Sequence, residues 1–241
     1  MRKIKFQTNN YYHIYNRGVE KRKIFMDEKD FVRFLISMKE FNHVEPIGSL
    51  LELNQSRKKA IKKTKETKFP NNFKAENSAL KLFGNLVSTI LVPLVEIVCY
   101  CLNQNHFHIL IKPLQDKGIE KFMHKLSLGY SKYFNSRYNR SGSLFQGTYQ
   151  SVYIKTEDKL RKVSCYINGN PEIHKITANA EDWIYSSYQD YLGLRDGKMC
   201  DKNIILKDFR NIEEYKKLVD VIIKESGDIK DEEKKYFLEY K

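Results

Sequence analysis

The chain has 241 residues, 41% of them hydrophobic, so it can bury a core, and wholesale disorder is excluded. It carries 43 Lys and Arg against 30 Asp and Glu, a net charge of +13. The uncharged apolar stretch at residues 82–95 is too short to span a bilayer, and the basic N-terminus lacks the apolar run of a signal peptide. We therefore expect a soluble, cytoplasmic protein without a membrane partner. A basic chain rich in aromatic rings suits a polyanion whose bases can stack.

The elements follow in chain order. The predicted strands are residues 11–16, 95–102 and 106–112, with a further strand plus loop at 144–154; the predicted helices are 27–43, 119–134 and one that Thr156 caps and that Gly169 and Pro171 end. Because residues 103–105 join the two central strands in a short turn, the order favours an α+β fold, an antiparallel sheet with helices packed on it.

Two segments stand apart from this pattern. Residues 44–90 form a basic insertion, densest in Lys and Arg between residues 57 and 81, which we interpret as a solvated excursion. The chain after residue 195 carries one apolar helical stripe, from Ile212 to Ile222, and then a run of charges. We expect residues 196–241 to form a C-terminal helical tail with a frayed end.

Two histidines form the sharpest local feature. On a strand, His106 and His108 point to the same face, and Phe107 points to the other. Neutral imidazoles side by side can hold a divalent ion, although such a pair in a strand is often incidental.

A structural zinc site is a rival interpretation of the same hairpin. Cys99 and Cys101 share a face of the preceding strand, and with the two histidines they would make a tetrahedral site if all four faced together. If all of residues 103–105 form the loop, the cysteines face away from the histidines; a two- or four-residue loop would put Cys101 opposite His106 instead. We expect the first register, in which the cysteines are small core residues.

A tyrosine on the last predicted helix could act as a nucleophile. Tyr166 and Asn170 are four residues apart and project from nearly the same face, and Pro171 is expected to push Asn170 out of regular helix. Taken alone, they are a half-buried tyrosine and a helix-terminal asparagine. Together with His106, His108 and a basic surface, they suggest that the Tyr166 hydroxyl attacks a phosphodiester while a metal, held by the histidines and an amide oxygen, polarises the phosphate.

At this point the sequence resembles a known family, the single-tyrosine HUH transposases of insertion sequences and REP elements. NHFH at residues 105–108 is similar to their histidine motif, and YINGNP at 166–171 to their tyrosine helix. YHIYNRG at 12–18, SGSLFQG at 141–147, and Trp183 with SSY at 186–188 resemble their first strand, the segment before the tyrosine helix and their closing segment. The resemblance covers roughly residues 9–195, with the insertion at about 44–90 and the tail as departures.

The resemblance implies a ferredoxin-like sheet, a divalent metal (Mg or Mn) and single-stranded DNA folded into a hairpin as the partner. Tyr166 would be the catalytic nucleophile, with His106, His108 and Asn170 as metal ligands; many relatives carry Gln at the place of Asn170. Cutting would leave a 5′-phosphotyrosine and a 3′ hydroxyl that can rejoin another end. Some relatives exchange tyrosine helices in a homodimer and others act as monomers. A catalytically silent hairpin-binding protein of the same fold is the alternative within the family.

Basic and aromatic residues near the motifs are candidates for DNA contact. The basic ones would bind phosphates and the aromatic ones would stack on bases, although solvated and core roles compete with these. The set is Arg17, Lys121, Lys125, Lys132, Arg137, Arg140, Phe145 and Tyr149. We assign no catalytic role to the other histidines, which include His13 and His174.

Overall fold

The structure is a computed structural model that describes residues 5–45 and 92–226 and a few isolated positions between these ranges. Most of the predicted insertion at 44–90 and the predicted frayed end after residue 226 therefore lie outside the described residues. None of the helices in the described part is long and apolar enough to cross a membrane.

The fold is a four-stranded antiparallel sheet with helices on both faces. In chain order the strands are β1 (Tyr11–Arg17), β2 (Val95–Asn103), β3 (His106–Pro113) and β4 (Gln150–Ile154), and the sheet order is β2-β3-β1-β4. The helices are α1 (Glu28–Glu40), α2 (Gly118–Arg137), α3 (Glu157–Ile173), α4 (Tyr188–Tyr191), α5 (Asn203–Leu206) and α6 (Ile212–Glu225). This order and pairing are ferredoxin-like, so the predicted α+β fold is confirmed.

Strand alternation divides the core between the two sheet faces. Even-numbered residues of β1 and odd-numbered residues of β3, such as Ile14 and Phe107, pack with α1 and α2. The opposite face, with Leu110, packs with α3 and α6. The two histidines of β3 lie on this second face, so α3 is the helix that covers them.

The hairpin of β2 and β3 has a different register from the predicted one. Asn103 pairs with His106 and Cys101 with His108, which leaves a two-residue turn at Gln104 and Asn105. The backbone N–H groups of residues 24 and 25 donate to the Gln104 carbonyl, at 2.8 and 3.0 Å, and stabilise this tight turn from outside. The prediction that residues 103–105 all form the loop is therefore wrong, and the cysteines share the histidine face. Cys101 lies opposite His108, not opposite His106.

The end of α3 also differs from the prediction. The helix continues through Gly169 and Pro171 to Ile173, so Asn170 lies within it and is fully buried. Pro171 lacks an N–H and cannot bond to the carbonyl four residues earlier, but the next turn keeps its bonds, from His174 N to Asn170 O at 3.0 Å and from residue 176 N to Pro171 O at 2.8 Å. The prediction that Pro171 pushes Asn170 out of the helix is wrong.

Candidate active site

The paired histidines stand where β3, β1 and α3 meet. The rings of His106 and His108 are 5.1 Å apart between centroids, and the Tyr166 ring lies 5.8 Å from that of His108, edge to face. Tyr166 and both histidines come together within this one chain. The sequence-predicted nucleophile and the two predicted imidazole ligands thus lie in one cluster.

Asn170 completes this cluster from the helix. It lies one turn after Tyr166 on α3 and accepts a hydrogen bond at Oδ1 from the side-chain nitrogen of Asn103. The same nitrogen lies 2.7 Å from His106 Nε2. The Asn103 amide therefore bridges two of the predicted metal ligands.

Outer partners fix the orientation of both imidazoles. His106 Nδ1 lies 2.6 Å from Asn105 Oδ1, which can only accept, so the N–H is on Nδ1 and Nε2 is the acceptor. His108 Nδ1 lies 2.8 Å from Nε2 of the buried His13. Such second partners set the tautomer and the aim of metal-binding histidines.

A pocket of about 210 Å³ opens on the histidine side of the sheet. Its lining comes from β1, the turn after β1, the β2–β3 hairpin and the residue after α3: Tyr15, Asn16, Arg17, Lys21, Asn105, His106, Phe107, His108 and His174. Lys21 and its neighbour Glu20 both have positive φ, 58° and 56°, a backbone conformation that costs free energy in residues other than glycine. A pocket lined by cations and imidazoles suits a phosphate group.

Tyr166 does not line this pocket. Only 4% of the residue is exposed, and its ring packs beside His13, at 6.5 Å, and His108. The pocket gives access to the histidines, and the tyrosine is not part of its lining.

The tyrosine helix is held in place by buried polar contacts from two other segments. Asn168 Nδ2 donates to the Tyr215 hydroxyl of α6 at 2.8 Å, and Asn168 Oδ1 accepts from the Ser187 hydroxyl at 2.7 Å. Ser187 is bonded in turn to Tyr100 on the outer strand β2. The closing segment and the C-terminal tail therefore both anchor α3, and the tail packs on the predicted 9–195 domain.

The described residues hold no alternative metal cluster. Within residues 5–45 and 92–226, no group of three or more His, Cys, Asp or Glu side chains could hold a metal ion. Cys101 shares the histidine face but donates its thiol to Asn103 Oδ1 at 3.3 Å. Burial raises the pKa of the Cys99 thiol well above its usual value, which opposes a thiolate. These contacts do not support the structural zinc interpretation.

The predicted DNA contacts divide into two groups. Arg17 lines the pocket beside His106, and its Nε donates to Gln146 at 2.5 Å. Lys121, Lys125, Lys132 and Arg137 lie on α2, which packs on the opposite face of the sheet. Their contact with DNA stays a prediction.

Several of these side chains have structural partners. Lys125 Nζ donates to the His43 carbonyl at 2.6 Å, and burial lowers the pKa of Lys125. Arg137 pairs with the carboxylates of Asp27 and Asp30, and the bond to Asp27 raises the pKa of the guanidinium. Arg140 donates hydrogen bonds to Asn135 and to Ser143. Phe145 and Tyr149 pack in the core.

Sequence reasoning missed four residues of this site: His13, Asn103, Lys21 and His174. The positions of His13 and Asn103 in the site depend on strand register. His13 reaches His108 only across the β1–β3 pairing, and Asn103 faces His106 only when the turn has two residues. His174 meets His106 at 5.1 Å because α3 continues past Pro171. The asparagine-rich turn was the available signal for Asn103.

Paired histidines on a strand lie beside a tyrosine on the helix that covers them, and the sheet is ferredoxin-like. Residues 92–170 match the family model for IS200-like transposases, and this segment includes β2, β3, Tyr166 and Asn170. The predicted resemblance to the single-tyrosine HUH transposases is therefore confirmed over this segment, which is less than half of the chain.

A solved structure, described as a REP-associated tyrosine transposase bound to a REP hairpin, is similar to the chain with a TM-score of 0.48 and 11% identity. The alignment covers 80% of this chain and 85% of that one. No curated protein matches the chain.

Proposed function

We propose that the protein cuts and rejoins single-stranded DNA that carries a hairpin, through a covalent 5′-phosphotyrosine on Tyr166. The observation that carries the proposal is the cluster of Tyr166, His106, His108 and Asn170 in one chain. The IS200-like match supports transposition, and the net charge of +13 supports a polyanionic partner.

The donor set fits a divalent cation. His106 Nε2 and Asn170 Oδ1 are both acceptors, and their lone pairs converge on one point, which a donating amide nitrogen occupies. Imidazole nitrogens with an amide oxygen suit Mn²⁺, and Mg²⁺ accepts the oxygen and additional water ligands. His106, His108 and Asn170 would hold the ion, which would polarise the scissile phosphate as a Lewis acid.

The chain's own residues perform the remaining steps. Arg17 and Lys21 hold the phosphate in the pocket beside the histidines, and the attack requires Tyr166, which does not line the pocket, to move toward it. The Tyr166 hydroxyl oxygen forms a bond to phosphorus, the bond from phosphorus to the 3′ oxygen breaks, the phenolic proton is released and the 3′ oxygen ends as a hydroxyl. Attack of that hydroxyl on a phosphotyrosine reverses the step and joins strands without an outside energy source.

The test is covalent capture. A hairpin oligonucleotide labelled at its 3′ end is incubated with the full chain and Mn²⁺, and we expect a labelled adduct that survives denaturing electrophoresis. Tyr166→Phe should remove the adduct, whereas Tyr153→Phe, on β4, should retain it. His106→Ala should lose the adduct and keep most hairpin binding. Equal adduct in Tyr166→Phe would exclude Tyr166 as the nucleophile.

The burial of Tyr166 favours a second candidate function, a hairpin-binding protein without turnover. With 4% of the residue exposed, the tyrosine would have to move relative to His108 before DNA reached it. Hairpin binding by the wild-type chain, with no adduct in either Mn²⁺ or Mg²⁺, would support this second function over the first.

A further inference from the structure

The side chain of Asn103 occupies the point where two predicted metal ligands converge. It is 1% exposed, and its Nδ2 lies 2.7 Å from His106 Nε2 and donates as well to Asn170 Oδ1. On its other side, the Cys101 thiol donates to Asn103 Oδ1 at 3.3 Å. All the contacts of this amide thus lie inside the candidate metal site or against a thiol.

A cation cannot use those two lone pairs while an N–H points at them. A half-turn of the Asn103 amide about its last side-chain bond exchanges the nitrogen for the oxygen, which is nearly the same size, and a shift of the side chain away from His106 and Asn170 then leaves the cation the point that the nitrogen fills. After the turn, Oδ1 faces His106 and Asn170, and Nδ2 faces the Cys101 sulfur, which accepts weakly. The backbone need not move, since pairing with His106 across the hairpin fixes Asn103.

We propose that Asn103 is a further protein ligand of the divalent cation and binds it through its amide oxygen after this half-turn. The inference rests on the proposed metal site of His106, His108 and Asn170. The ligand set is then two imidazole nitrogens and two amide oxygens, all uncharged. Because no carboxylate is among these ligands, the cation binds more weakly than at acidic sites. Its positive charge is not neutralised by the protein and remains available to attract phosphate oxygens.

The opposite role for Asn103 makes the opposite prediction. If the amide only donates to His106 and Asn170, it competes with the cation, and its removal strengthens binding. If it is a ligand, its removal weakens binding and leaves a coordination position for water. The direction of the change in affinity therefore separates the two roles.

The experiment is a Mn²⁺ titration of the DNA-free chain followed by electron paramagnetic resonance, with bound waters counted in ¹⁷O-enriched water. We expect Asn103→Ala to weaken Mn²⁺ binding by about 10-fold or more and to add one coordinated water. Asn103→Asp should bind Mn²⁺ more tightly than wild type with no added water. The matched control is Asn105→Ala, which removes the outer partner of His106 and should weaken binding without adding a water.

Unchanged or tighter binding by Asn103→Ala, or an unchanged water count, would overturn the proposal. If that variant fails to fold by circular dichroism, Asn103→Asp decides, and unchanged or weaker binding by it would overturn the proposal. Loss of Mn²⁺ binding in His106→Ala alongside an unaffected Asn103→Ala would retain the proposed metal site and remove only Asn103. A wild-type chain that binds no Mn²⁺ would refute both.

Discussion

The hydroxyl of Tyr215 should contribute strongly to stability because it anchors the tyrosine helix. Tyr215 is fully buried on α6 and bonds to two groups of α3, Ser164 Oγ at 2.7 Å and Asn168 Nδ2 at 2.8 Å. Tyr215→Phe keeps the ring and removes both bonds. A buried polar group left without a partner costs about 1–3 kcal/mol. Since Ser164 can rotate its hydroxyl whereas the Asn168 amide is also held by Ser187, we expect a loss of about 2 kcal/mol.

The chain provides a matched control on the same face of the sheet. Tyr188 is 1% exposed, and its hydroxyl has no hydrogen-bond partner among the described residues. Tyr188→Phe removes an unsatisfied buried group, so stability should stay the same or rise. Urea unfolding followed by the fluorescence of Trp183, the single tryptophan, measures both variants. Equal midpoints for the two variants would refute the reasoning.

Three further predictions concern individual polar contacts. Asp30→Asn breaks the ion pair between a fully buried carboxylate and Arg137. We expect the free energy of unfolding in urea to fall by about 3 kcal/mol, the low end for a buried pair, because Arg137 is partly exposed. A loss below about 1 kcal/mol would contradict this prediction. The hydrogen bond from Arg137 holds the pKa of Asp27 below its ordinary 3.8, so the stability that Asp27 contributes is fully present above that pH and is lost as the pH falls through the folded pKa. Asp27→Asn should therefore flatten the fall in stability with pH over this range in an acid titration. An unaltered acid titration curve would contradict this prediction. His13→Ala removes the partner of His108 Nδ1 and should weaken Mn²⁺ binding by about 10- to 100-fold in calorimetry, whereas unchanged affinity would exclude an orienting role.

The fold was predictable because its signals are local. Periodicity located the strands and helices, and the short turn between the central strands excluded a parallel sheet. A β-bulge in β2 hid part of the pattern: Ile97 and Tyr100 both face α1 and α2, although strict alternation puts an odd and an even residue on opposite faces. Sequence alone does not reveal the extra residue of such a bulge.

The site was predictable in its residue types and less so in its contacts. His106 and His108 share a face whatever the register, and Tyr166 and Asn170 share a helix face, so both pairs follow from spacing alone. The role of Asn103 depends on whether the turn has two or three residues, and outside contacts to the Gln104 carbonyl decide that. A long-range contact of this kind leaves no periodic signal in the sequence.

The most direct test of the central claim is to identify the residue that becomes linked to DNA. Trypsin releases Tyr166 in a peptide of residues 163–175 that contains a single tyrosine. After incubation with a hairpin oligonucleotide and Mn²⁺, nuclease trimming and mass spectrometry should find the nucleotide on this peptide, through a phosphate on Tyr166. A nucleotide on any other peptide, from a wild-type chain that forms the adduct, would contradict the account.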